Sequence, residues 1–389
     1  MTDQAISPAP SPAPAAAPAR PQNSREHKAL VAGQWQLIWW RFRRNKVALF
    51  SGVIVICIYL VAIFADFLAP YSTEFYQARY TYAPPQQLHL FITDDQGTRF
   101  FPHVNGYRSS VDPASFARTF TVDPEEVIPV AFFGRGQAYN FLGLIPTDLH
   151  FLAPVNPRDP MYLFGADRLG RDVLSRTIHG TRISMSIGLI GVTLSLVLGI
   201  VLGGISGFVG GRTDNLIQRL IEFLQSIPTI PLWMGLAAAI PQNWSPIQVY
   251  FAITVILSLI GWISLAREVR GKFMALKHED FVTAARLDGL GEMAIIRKHL
   301  IPSFLSHIIA SVTLAIPAMI LAETALSFIG IGLKPPVVSW GVLLQEAQNI
   351  RSVASAPWLF LPGGAIIVAV LSMNFLGDGL IEAADPYGT

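Results

Sequence analysis

The sequence predicts an all-α membrane protein with six transmembrane helices. Three observations carry this. Charged residues make up 14% of the 389 residues, against about 25% in a typical soluble domain. Mean hydropathy is +0.45. Six apolar stretches each approach or exceed the roughly 20 residues that a helix needs to cross a bilayer.

Taken in order, the spans fall at 47–68, 183–208, 216–240, 247–265, 308–331 and 358–380. The first follows Arg41, Arg43, Arg44 and Lys46 and is too long for the core of a cleaved signal peptide, so it stays as an anchor. Glu222, Pro228 and Pro231 interrupt the third; prolines are tolerated where neighbouring helices satisfy the freed carbonyls. Lys and Arg crowd the start of the chain and the 267–302 connection, with Arg212 on the same side, while the other short loops hold only Lys334 and Arg351. This bias places both termini in the cytoplasm.

Outside the spans, residues 1–30 form a Pro/Ala-rich tail that cannot build a core. Residues 31–46, with aromatic and basic side chains interleaved, suit a segment at the inner membrane face. Residues 69–182 form a long periplasmic region whose fold the pattern leaves open. Residues 381–389 return to the cytoplasm. A net charge of +2 gives no reason to expect nucleic acid, and the single cysteine, Cys57, allows neither a disulfide nor a cysteine metal site.

The 267–302 connection is unusual. Within "EDFVTAARLDGLGEMAIIRKHLIPSF", Phe281, Ala284, Ala285 and Asp288 recur at i, i+3, i+4 and i+7, one face of a helix. Gly289 follows where a left-handed helix end suits it. A second amphipathic segment leads to Pro302, placed to open the next helix, and is expected to run continuously into span five. A short helix held by a second one can pass force between the cytoplasm and the membrane.

This segment resembles the EAA loop of permease subunits in ATP-binding-cassette importers, in which a coupling helix seats in a groove of the cytoplasmic ATPase. The matching residues are Thr283, Ala284, Ala285, Gly289 and Pro302, with Glu279 and Asp280 just upstream. Thr283 departs from the glutamate often found there. "GADRLGRDVLSRTIHGTRIS" at 165–184, "ILAETALSFIGIGLKPPVVSWGVLL" at 320–344 and "LGDGLIEAADP" at 376–386 resemble segments of the dipeptide, oligopeptide and nickel (OppBC-like) permeases, in the expected order. The enlarged outer region, with "FLGLIPTDLHFLAP" at 141–154, is similar in style to YejE-type peptide permeases.

The resemblance implies a type I importer transmembrane fold, with residues 183–380 as its core, in a multi-pass protein of the bacterial inner membrane. It also implies a second homologous permease subunit, two ATPase subunits or domains that bind ATP and Mg, and a periplasmic substrate-binding protein. Short peptides are the implied cargo; related permeases carry nickel or glycosides.

Ionisable groups in apolar spans need a reason to be there. Asp66, Glu222 and Asp378 fall near span ends, where headgroups reach them. Glu323 lies within span five, either as a buried carboxyl paired with a neighbouring helix or as a lining residue of the translocation path. Gly199, Gly203 and Gly207 form two overlapping GxxxG pairs, which permit close packing within this subunit or against a second one. There is no GxxxxGK[S/T] phosphate loop, no HExxH and no GxSxG, so neither a catalytic nor a cofactor site is expected on this chain. An ion-gradient transporter would need a coupling site at mid-membrane, for which Glu323 is the candidate. A membrane-embedded enzyme or receptor would need a catalytic cluster in the outer region.

Overall fold

The computed structural model describes residues 34–94, 97–111, 113 and 118–384. The tail 1–30, residues 31–33 and the final stretch 385–389 lie outside them. The helices used below are α1 (Gln34–Phe42), α2 (Lys46–Ile63), α3 (Val173–Val209), α4 (Gly211–Ser226), α5 (Thr229–Ala238), α6 (Pro246–Leu276), α7 (Asp280–Leu287), α8 (Leu305–Phe328), α9 (Trp340–Gln345) and α10 (Leu361–Ala384).

Among the described residues, five helices are long and apolar enough to cross a membrane alone, those built on α2, α3, α6, α8 and α10. The third span is the pair α4–α5, bent by 87°. The break falls at Ile227 and Pro228, because proline supplies no N–H to continue the helical ladder. The bent pair crosses the bundle rather than turning back. Gly207, near the end of α3, lies against Arg270 and Phe273, near the end of α6, so α3 and α6 run in the same direction. The chain between them must therefore return to the side where α6 starts.

Helix ends obey local chemistry. Asn45 caps α2, its side chain accepting the Ala48 N–H at 3.0 Å. Ser245 and Gln248 form a reciprocal capping box before α6, with Pro246 at its first turn. Asp172 caps α3 by accepting from the Ser175 N–H at 2.7 Å and from its hydroxyl at 2.6 Å. Burial pushes the Asp172 carboxyl up from 3.8 to about 7, against the lowering effect of those two bonds.

The spacing of glycines along α3 finds its partner inside this subunit. A Cβ on Gly203 would lie 2.3 Å from the Ala266 carbonyl oxygen of α6, so α3 and α6 meet backbone to backbone. Packing within the subunit is thus the use of the GxxxG pairs.

The outer region is folded, and it adds strands to the helical architecture. β1 (His89–Asp94), β2 (Gly97–Val111), β3 (Arg118–Phe141) and β4 (Ile145–Pro154) make an antiparallel meander in the order β1-β2-β3-β4. Its core gathers Tyr71, Tyr80, Val104, Tyr107, Ile128 and Tyr162. The alternation expected of strands is hidden by register shifts between Asn105 and Gly106 and between Arg135 and Tyr139, and by Pro102, Pro124 and Pro129 within the strands. The sheet is tied to the bundle through Ala69, whose carbonyl meets the His150 Nδ1 at 2.7 Å, and Ser72, whose N–H reaches the Gln137 Oε1 at 3.1 Å.

The "GADRLGRD" stretch is a turn that locks α3 to the far loop. Asp167 accepts from the N–H groups of Leu169 and Arg171 at 2.8 and 3.0 Å, and from the Arg171 Nε at 2.6 Å. Arg171 also donates to Glu346 at 3.0 Å. Burial raises the Glu346 carboxyl above its ordinary value, with Asp167 adding to that and Arg171 and Arg176 opposing it.

Candidate functional site

The 267–302 connection lies at the end of the bundle opposite the sheet, and its core is α7. Glu279 stands at the N-cap with its carbonyl accepting the Val282 and Thr283 N–H groups at 3.0 and 3.1 Å. The helix ends in a Schellman motif: the Gly289 N–H donates to the Arg286 carbonyl at 3.0 Å and the Leu290 N–H to the Ala285 carbonyl at 3.1 Å. Gly289 has φ +79°, as the spacing predicts, and a side chain there would be strained.

The face drawn from the sequence is divided by the fold. Phe281, Thr283, Ala284 and Asp288 are exposed, as are Glu279 and Asp280. Ala285 is buried, and so is Val282. Both sit in a small core with Phe208 from α3, Val269 and Phe273 from α6, Ile295, Leu300 and Phe304 from the arm, and Ile308 from α8. Ala285 therefore anchors α7 to the bundle and does not face outward. Its place on the outer face is taken by Leu287, 84% exposed and missed by the sequence reading, although it follows Ala284 at i+3. Arg286 lies over the Phe208 ring at 5.7 Å, a second tie to the end of α3.

The arm that follows is not a single helix. It runs as Glu292–Ile295, a π segment Ile296–Leu300 and the turn Ile301–Ser303. Pro302 is the second residue of that turn and is exposed. Phe304, at φ −127° and ψ 21°, then breaks the chain before α8 begins. The expected continuity with span five is replaced by a joint, and π segments of this kind recur where helices must give.

Glu323 is remote from the elbow and fully buried. Its Oε1 accepts the Ser327 and Ser339 hydroxyls, each at 2.8 Å. Those hydroxyls in turn accept the Leu333 N–H at 3.0 Å and the Val342 N–H at 3.2 Å. The carboxyl thus fixes the loop between α8 and α9 through hydroxyls, and no basic side chain among the described residues is bonded to it.

A cavity of about 490 Å³ opens where the sheet meets the bundle, lined by Asp66, Gln137, Tyr139, His179, Arg182 and Tyr250 among others. Arg182 pairs with Asp66 at 2.8 Å and donates to the Ala62 carbonyl at 3.0 Å. Burial raises the Tyr139 hydroxyl above its ordinary value. Asp66 lies just past the end of α2, and Arg182, which pairs with it, and His179, whose Nδ1 stands 3.7 Å from it, come from the first turns of α3, ahead of the apolar run at 183. Glu222 pairs with Arg219 at 2.8 Å on an exposed face of α4.

The fold defines a multi-pass membrane protein with a helical elbow at one end of the bundle and a sheet at the other. Residues 199–387 match the family described as "Binding-protein-dependent transport system inner membrane component", and residues 33–85 match the "N-terminal TM domain of oligopeptide transport permease C". The oligopeptide transport system permease protein OppC of Haemophilus influenzae is 38% identical over 241 residues, covering 62% of this chain and 75% of that protein. OppC of Escherichia coli (strain K12) is 36% identical over 241 residues, covering 62% and 77%. The dipeptide transport system permease protein DppC of Bacillus subtilis is 36% identical over 232 residues, covering 59% and 70%. An inward-facing structure of the methionine ABC transporter MetNI aligns with a TM-score of 0.44 at 17% identity, covering 55% of this chain and 97% of that one. The chain belongs to the OppC-like family of oligopeptide and dipeptide ABC permeases. The sheet lies outside both matched stretches.

Proposed function

We propose that this chain is one of two permease subunits of an ATP-driven, binding-protein-dependent importer, that it forms half of the pathway for short peptides, and that α7 is its coupling helix. On this reading the elbow and both termini are cytoplasmic and the sheet is periplasmic. A second homologous permease, two ATPase subunits or domains carrying ATP and Mg, and a periplasmic substrate-binding protein complete the assembly. The peptide cargo follows the names of the relatives.

The observation that supports coupling most directly is the two-sidedness of α7. Val282 and Ala285 root it in a core shared by the ends of α3, α6 and α8, while Phe281, Ala284, Leu287 and Asp288 are left outside. A partner that pulls on the outer side moves three spans at once. Glu323 gives the ion-gradient alternative little support, since it is enclosed and hydrogen-bonded to hydroxyls.

The test is Ala284→Trp in the reconstituted complex. The bulky ring projects from the exposed side, so the subunit folds and inserts, but ATP-driven peptide uptake is lost. Uptake at the normal rate would overturn the assignment of this face, and uptake by the subunit without an ATPase would overturn the mechanism.

A further inference from the structure

We propose that the tip of the β3–β4 hairpin, residues 141–145, is a membrane anchor that seats in the bilayer interface beside the sheet-side end of α2. The hairpin is placed there by ring contacts with the end of span one. Phe141 stacks on Phe64, the residue that ends α2, with centroids 5.7 Å apart. Phe151 and Phe133 meet Phe67, one turn further on, at 6.2 and 6.1 Å. The tip therefore stands level with the point where α2 leaves the hydrocarbon.

Its chemistry suits that depth. At the turn, Leu142 is 54% exposed, Leu144 82% and Ile145 61%. No charged residue occurs from 136 to 147. These side chains continue the exposed apolar stripe of α2, formed by Val53, Ile56, Leu60, Ile63 and Phe64, which a spanning helix turns toward lipid. The continuity with that lipid-facing stripe identifies the occupant as the bilayer itself. The turn also satisfies its own backbone: the Gly143 N–H donates to the Asn140 carbonyl and the Leu144 N–H to the Phe141 carbonyl, both at 3.0 Å. Closed turns of this kind tolerate a medium poor in water.

Leu142 adds an independent sign. Its φ of 52° lies in the left-handed region, which glycine or asparagine occupies with less strain. A large apolar side chain is held at a position where the backbone disfavours it, and aqueous surroundings would offer it nothing in return. Apolar side chains buried at the headgroup boundary do gain there.

The experiment uses the full chain, assembled with its partners in nanodiscs, on a Cys57→Ala background. Leu144→Cys carries an environment-sensitive fluorophore; Ile145→Cys is a second reporter, and Val111→Cys on the distant end of β2 is the aqueous control. The expected result is blue-shifted emission at 144 and 145 that shallow spin-labelled lipids largely quench and aqueous iodide does not, with the reverse at 111. Iodide quenching at 144 and 145 without lipid quenching would overturn the proposal. So would reporters shielded from both quenchers, or shielded only after a substrate-binding protein is added, because the tip would then be covered by protein.

Discussion

Leu287→Ala tests the outward side of α7 without touching its root. Burying a leucine side chain is worth about 1.5–3 kcal/mol, and Leu287 is 84% exposed before any partner arrives. Nearly all of that gain is thus available to a docking surface, and truncation removes about 1.5–2.5 kcal/mol of it. At 1.4 kcal/mol per decade this weakens ATPase docking roughly ten- to sixty-fold. The same truncation leaves the isolated subunit unchanged to within about 0.5 kcal/mol, as surface substitutions usually do. Val282→Ala is the counterpart: it empties part of the root core and lowers subunit stability by about 2 kcal/mol. The assay titrates ATPase subunits onto nanodisc-held permease and follows thermal unfolding of the permease in parallel. Undiminished ATPase affinity for Leu287→Ala, with normal uptake, would refute the division of α7 into an outer and a rooted side.

Three further outcomes are expected. Gly203→Val drives a side chain into the Ala266 carbonyl, 2.3 Å from where Cβ would stand; overpacking ordinarily costs about 1–3 kcal/mol, and a backbone obstacle places this variant at or above that range, read as a lowered unfolding midpoint in detergent. Glu323→Leu strands the Ser327 and Ser339 hydroxyls at about 1–3 kcal/mol each, whereas Glu323→Gln keeps an acceptor for both and stays near the parent in the same measurement. Asp172 retains its proton in the fold up to about pH 7, while the unfolded chain releases it near 3.8. The fold therefore binds the additional proton between those values, so this group's contribution falls as pH rises through that window and is level above it. Subtracting the unfolding midpoints of Asp172→Asn from those of the parent across pH isolates that slope; a flat difference would refute the raised carboxyl.

The parts legible in the sequence were those fixed by solvent. Lipid demands long apolar runs, and these marked the six crossings. Their ends were less visible where helices leave the membrane: α3 begins ten residues before the apolar run at 183, with Arg176, His179 and Arg182 in those turns, and α6 continues past 265 through Arg267, Glu268 and Arg270. Gly289 was readable because its backbone angle admits few other residues. Ala285 was misplaced because a stripe at i, i+3, i+4 and i+7 defines a broad face without saying which neighbour covers which half. The meander was hidden by bulges and prolines that break the two-residue period. The hydroxyl pair around Glu323 joins residues 16 positions apart, Glu323 and Ser339, a proximity that only the folded loop creates.

The seam between α3 and α6 sets where this molecule can bend. Helices in contact at Gly203 and Ala266 leave no side-chain cushion between their main chains, so neither can slide along or roll over the other without a collision of carbonyls. The two must travel together as one stiff blade. Relative movement is left to α8, which is divided from its arm at Phe304 and carries Pro317 within its length. If α7 is the coupling helix proposed above, a pull on it reaches the blade through Phe208 and Phe273 and reaches α8 through a jointed lever, so the two would respond differently to the same pull.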